Sequence, residues 1–162
     1  MSVQNATVKF DCIAVDSVTS GVGSGYQDRN ITHKLSDTQS LTSSTSTPVS
    51  SAASFALTLS SGTAQIDLNA VTMAGGATAD WSGIKLQAMG VKVGTGASVM
   101  TVAVGTSSGY AFSGASWSQE VESGGSFLSF QNEAAPDIST SARYILISGT
   151  GSQSCDVMLL GG

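Results

Sequence analysis

Apolar side chains recur at every second position in short runs along nearly the whole chain, and a period of two is the spacing of a strand with one buried face. In Thr7 to Cys12, Val8, Phe10 and Cys12 fall on one side and Thr7, Lys9 and Asp11 on the other, which predicts a half-buried strand. Gly25 to Leu35 repeats the pattern more weakly through Ile31, His33 and Leu35. Phe55, Leu57 and Leu59, the turn Ser60-Ser61-Gly62, then Ala64, Ile66 and Leu68 read as a hairpin. Gly94-Thr95-Gly96 turns the chain into Met100, Val102 and Val104. Further strands are expected at Gly109 to Phe112, Ser126 to Phe130, Tyr144 to Ser148 and Cys155 to Leu160. Gly or Ser clusters separate most of these runs, the rhythm of sandwiches and barrels. Only Ala134 to Arg143, with Pro136 and Asp137 near its start, reads as able to carry a helical turn. The pattern predicts an all-β, antiparallel β-sandwich.

Two irregularities interrupt it. Ile84, Leu86 and Ala88 alternate with Lys85 and Gln87, but the next apolar pair, Val91 and Val93, has the opposite parity. One extra residue at Met89-Gly90, a β-bulge, would restore the buried face. The second is Ser36 to Ser54, SDTQSLTSSTSTPVSSAAS, which has little apolar surface to offset the entropy of ordering. It reads as a linker or extended arm, either a disordered spacer or a segment that orders against a neighbouring subunit. The expected division is residues 1–54, N-terminal strands and a Ser/Thr-rich arm, and residues 55–162, the sandwich body. With 162 residues, 41% of them hydrophobic, the chain has enough for a single core.

The chemistry-bearing residues are few: one histidine, two cysteines and 10% charged side chains. His33 has no second histidine or Cys/Glu cluster beside it, and a zinc site needs three or four ligands, so no metal is expected. There is no Gly-x-Ser-x-Gly elbow, and the run Gly21 to Gly25 lacks the Lys-Ser/Thr of a phosphate loop. The expectation is a protein that is not an enzyme and holds no cofactor. Lys9, Arg29, Lys34, Lys85, Lys92 and Arg143 are scattered in a chain of net charge −5, which argues against a nucleic-acid surface. No run approaches the ~18 apolar residues of a membrane span, and the N-terminus does not read as a signal peptide, so synthesis and retention in the cytoplasm are expected. Cys12 and Cys155 read as two buried free thiols.

Aromatics are scarce, and Trp81 and Trp117 stand beside polar, turn-like sequence. They read either as plugs over an open end of the sandwich or as anchors for a subunit or ligand. Tyr110, Phe112 and Trp117 together make the best candidate platform for a partner or, in a carbohydrate-binding module, for a sugar.

From Phe55 onward the chain resembles small structural proteins encoded among the virion genes of tailed bacteriophages and prophages. The resembling segments are FALTLSSGTAQIDLNAV, GIKLQAMGVKV, AVGTSSGYAFSGASW, ESGGSFLSF, NEAAPDISTSARYILISGTGSQS and DVMLLGG, a pattern of strands and turns rather than a catalytic signature. The resemblance implies a jelly-roll-like sandwich that decorates or cements a capsid. It also implies partners: the major capsid protein and further copies of the same chain, commonly as a homotrimer on the virion surface. A head fibre, or a tail-associated module, is the alternative within that class.

Overall fold

The strands of the body pair as though one long hairpin had been laid out and then wrapped around itself. The computed structural model describes residues 5–18, 29–46, 48–73, 76–131 and 134–162, and all regular structure among them is strand. In chain order these are β1 (Ala6–Val18), β2 (Arg29–Leu41), β3 (Ser51–Thr58), β4 (Thr63–Asp67), β5 (Val71–Thr72) and β6 (Thr78–Ala79). They continue with β7 (Leu86–Val93), β8 (Met100–Val104), β9 (Ser118–Val121), β10 (Ser126–Phe130), β11 (Tyr144–Ser148) and β12 (Ser154–Gly161). Leaving aside the short β5–β6 pair, the first strand of the body pairs with the last, β3 with β12, and the pairing closes inwards as β4 with β11, β7 with β10 and β8 with β9, all antiparallel. Two four-stranded sheets result, in the orders β10-β7-β12-β3 and β4-β11-β8-β9. This is the jelly-roll form of the all-β sandwich.

Alternation places the core between the sheets. Ala53, Met89, Val91, Val93, Val157 and Leu159 point inward from the first sheet, and Ile66, Met100, Val102, Ile145 and Ile147 from the second, all at 3% exposure or less. The expected β3–β4 hairpin is corrected by this topology. Its tight turn is present, with Ser61 and Gly62 both at positive φ and Ser60 and Thr63 exchanging backbone bonds of 2.8 and 3.1 Å, but the two strands leave it for opposite sheets. Local pattern reports the turn; which sheet each arm joins depends on strands almost a hundred residues further on.

Other differences have equally local causes. The bulge exists but lies at Gln87, because Leu160 pairs with Ala88 while Gly161 pairs with Leu86. Through Met89 and Gly90 the β7–β10 register runs without a break. Gln87 is wholly buried, its amide Nε2 donates to the Gly162 carbonyl (3.3 Å), and Lys85 and Gly162 then exchange backbone bonds. The Gly109 to Phe112 segment is a loop carrying only isolated bridges, and Ala134 to Arg143 is an irregular loop without helix, with Asp137 bridged to Lys85. β9, whose three polar residues precede Val121, carries no alternation that would announce it.

The chain divides into two compact units, Thr7–Ser40 and a body that takes in Leu41–Gly162. The boundary lies at Leu41 rather than between residues 54 and 55, since Leu41 and Val49 are both buried. Much of the Ser/Thr run is strand: Ser36–Leu41 ends β2, and Ser51–Ser54 begins β3. Backbone pairing, to which side-chain hydrophobicity is irrelevant, orders those residues. Thr7–Ser40 consists mainly of β1 and β2, which pair as a two-stranded sheet. Residues 9–15 of β1 are exposed on both sides instead of half-buried. Lys9 Nζ and Asp11 Oδ2 form an ion pair at 3.0 Å on one of those sides.

Candidate functional site

Three of the four aromatics expected at a contact surface are core residues. Trp81, Tyr110 and Phe112 are 2%, 0% and 1% exposed. Trp81 packs against the end of β12, where a Cβ on Gly161 would come within 2.9 Å of its ring. The Tyr110 hydroxyl donates to the Pro136 carbonyl (2.6 Å) and accepts from the Leu86 N–H (3.0 Å), tying the 134–138 loop to the start of β7. Burial pushes the phenol up to about 12, with the Asp137 charge adding to the effect and the Leu86 hydrogen bond opposing it. Phe112 meets Trp117 edge-on at 5.8 Å, and Trp117 meets Phe127 of β10 at the same distance. Trp117, half-buried, is therefore a plug between the sheets on the β9–β10 side. Tyr110 and Phe112 present no face on which a sugar could stack, which leaves Trp117 as the one residue of that candidate platform with exposed surface.

The opposite side of the sandwich, between the edge strands β3 and β4, is open. A cleft of about 230 Å³ runs there, floored by Phe55, Leu57, Ile66 and Val71 and rimmed by Gln65 and Thr72. Asp67 stands at its wall with its carboxylate already engaged: Oδ1 accepts from the Asn69 N–H (3.0 Å), and Oδ2 lies 3.7 Å from Arg143 Nη1. The Arg143 guanidinium in turn stacks 4.4 Å over the Tyr144 ring and donates to its hydroxyl. The cleft thus has apolar side chains on its floor and a polar rim whose one acid is paired with Arg143. Sequence reasoning passed over it, although β3 carries a readable signal. Ser51 to Thr58, SAASFALT, contains none of the Lys, Glu or Pro residues that usually blunt an edge.

Two further apolar surfaces are exposed. On the outer face of the first sheet Met158 and Leu128 are 50% and 48% exposed, and Gly90 is the strand partner of both. On the ribbon, Phe10, Ile13, Val15 and Leu35 are 51–67% exposed. The cysteines are both free, but only Cys155 is buried; Cys12 is exposed on β1, against the expectation for it. Burial raises the Cys155 thiol, with a smaller contribution from Asp156. The His33 side chain and the Gly21 to Gly25 run lie outside the described residues. Among the described residues no three His, Cys, Asp or Glu side chains gather as a metal site, and no helix is long and apolar enough to cross a membrane. Comparison with protein-family models, curated proteins and solved structures finds no match for this chain.

Proposed function

We propose that this chain is a structural subunit of a virus particle, a capsid decoration protein that sits on the outer lattice as a homo-oligomer and reinforces it. The carrying observation is the ribbon, which holds Phe10, Ile13, Val15 and Leu35 in solvent. Phe10 lies on one face of β1 and Ile13 and Val15 on the other, so apolar side chains stand in solvent on both faces of the ribbon, as on an element that docks against a partner. A two-stranded ribbon is marginal by itself in water, so such an element gains its order from what it docks against. The jelly-roll body, and the resemblance that the segments quoted from Phe55 onward bear to phage virion proteins, support the same class. In this reading the partners are the major capsid protein and other copies of the chain, commonly three together. Nucleic acid and membrane play no part, and the protein is made in the host cytoplasm and ends on the virion surface without catalysing a reaction.

Density-purified particles from the source of the gene, analysed by quantitative mass spectrometry, test the proposal. Copy number in a simple ratio to the major capsid protein is the expected result. A few copies per particle would move the protein to a head fibre or tail, and absence from particles would overturn the virion reading.

A further inference from the structure

The open side of the sandwich and the ribbon have matching needs. Among the described residues β3 pairs with β12 alone and β1 with β2 alone, so each has one edge with no strand bonded to it, with β5 packed near that of β3. The Leu59 N–H donates to the Gln153 carbonyl (2.8 Å), one step beyond the Thr58–Ser154 pair. Bonded positions alternate along an antiparallel pair, so Ala53, Phe55 and Leu57 bond towards β12, while Ala52, Ser54 and Ala56 direct their N–H and C=O groups away from it. That outward row runs beside the apolar cleft and bears no charge, proline or bulge to prevent a further strand from adding.

We infer that this edge accepts β1 of a second copy of the chain. The alternation of the two strands agrees. With β1 laid beside β3, Val8, Phe10 and Cys12 extend the inner face next to Phe55 and Leu57 and cover the cleft. Lys9 and Asp11 then extend the outer face, where Lys92 and Asp156 already stand opposite each other as exposed, oppositely charged neighbours. The thirteen residues of β1 exceed the eight of β3, so the whole edge can be satisfied from one donor. The step answers three observations together: the exposed Phe10, an unbonded edge, and a cleft beside it, while Ile13 and Val15, with the parity of Lys9 and Asp11, stay on the outer face. It joins the ribbon to a recognised mode of strand addition, in which main-chain bonds supply affinity and alternate side chains supply register. It concerns copies of this chain alone, and its failure would leave the capsid proposal to be judged by the particle counts.

The test uses the full-length protein at micromolar concentration. In a Cys12→Ser background, Asp11→Cys is combined in turn with Ser54→Cys, Ala56→Cys and Thr58→Cys, all exposed positions, and the proteins are oxidised and run on denaturing gels. At one of the three registers, disulfide-linked bands at multiples of the chain mass are expected. A link confined to single chains would overturn the inference, since it would mean that the ribbon folds onto its own body, and so would no link at any register. Independently, Ala56→Pro deletes an edge-facing N–H and leaves the β12 ladder intact, and Phe10→Asp places a charge over the cleft. Sedimentation should show each variant reduced to monomer; assemblies that survive both would be held together elsewhere.

Discussion

Replacing Tyr110 by Phe keeps the ring and its packing and removes one oxygen, which here serves two partners. Leu86 is wholly buried, so its N–H has no water to replace the lost acceptor, while Pro136 is exposed and its carbonyl can be rehydrated. An unsatisfied buried donor costs about 1–3 kcal/mol and a lost net hydrogen bond about 1 kcal/mol, so Tyr110→Phe should destabilise by about 2–4 kcal/mol at neutral pH. The pH dependence supplies a second handle. The phenol titrates near 10 when unfolded and at about 12 when folded, so the native state holds its proton in a range where the unfolded state has lost it. Its contribution to stability is complete below pH 10 and disappears as pH rises through 12. Two pH units at 1.36 kcal/mol each amount to about 2.7 kcal/mol. The gap between wild type and Tyr110→Phe should therefore narrow by about that amount between pH 9 and 12. Urea unfolding of both proteins across that range, with m-values checked for constancy, measures it. A neutral-pH gap under about 0.5 kcal/mol, or one that stays constant to pH 12, would refute the account of this hydroxyl as a buried cross-tie.

The remaining predictions concern packing and exposure. Gly109→Ala would drive a Cβ into the Gly105 carbonyl oxygen and Val104 Cγ1, and a loss of at least about 3 kcal/mol is expected in thermal melts. Gly94→Ala, with open space around it, should stay within about 1 kcal/mol of wild type. Deleting residues 1–50 should leave the body about 3–5 kcal/mol less stable than deleting 1–40, because only the longer cut removes the buried Leu41 and Val49; equal stabilities would return the boundary to residue 54. An aromatic disulfide reagent should titrate Cys12 promptly in the native protein and Cys155 only after denaturant is added, and fast reaction of both would contradict the burial of β12.

What was legible in the sequence follows the range of the interactions concerned. Tyr144 to Ser148 and Ser126 to Phe130 were read to the residue, because each lies in a strand whose boundaries are marked by local breaks. The parity flip in β7 announced a bulge, but its place, Gln87, was set by where Gly161 and Leu160 of the last strand came to lie, and not by the glycine that made Met89-Gly90 attractive. Aromatic residues misled for a related reason. Tyr110 and Phe112 stand in a polar, glycine-rich text that looks exposed, and only the closing of the sandwich puts the 105–117 loop over the core. The cleft at β3 and β4 was invisible because it exists only where two edges of different sheets come to lie side by side.

Period-two alternation and glycine turns act within a few residues, so the amino-acid order was enough to reveal an all-β chain, where most strands of the body run, and which of their faces are buried. Tertiary structure alone decided the jelly-roll pairing of first strand with last, the burial of Trp81, Tyr110 and Phe112, and which edges stayed open. Those outcomes depend on contacts between residues a hundred positions apart, and a local pattern carries no record of them.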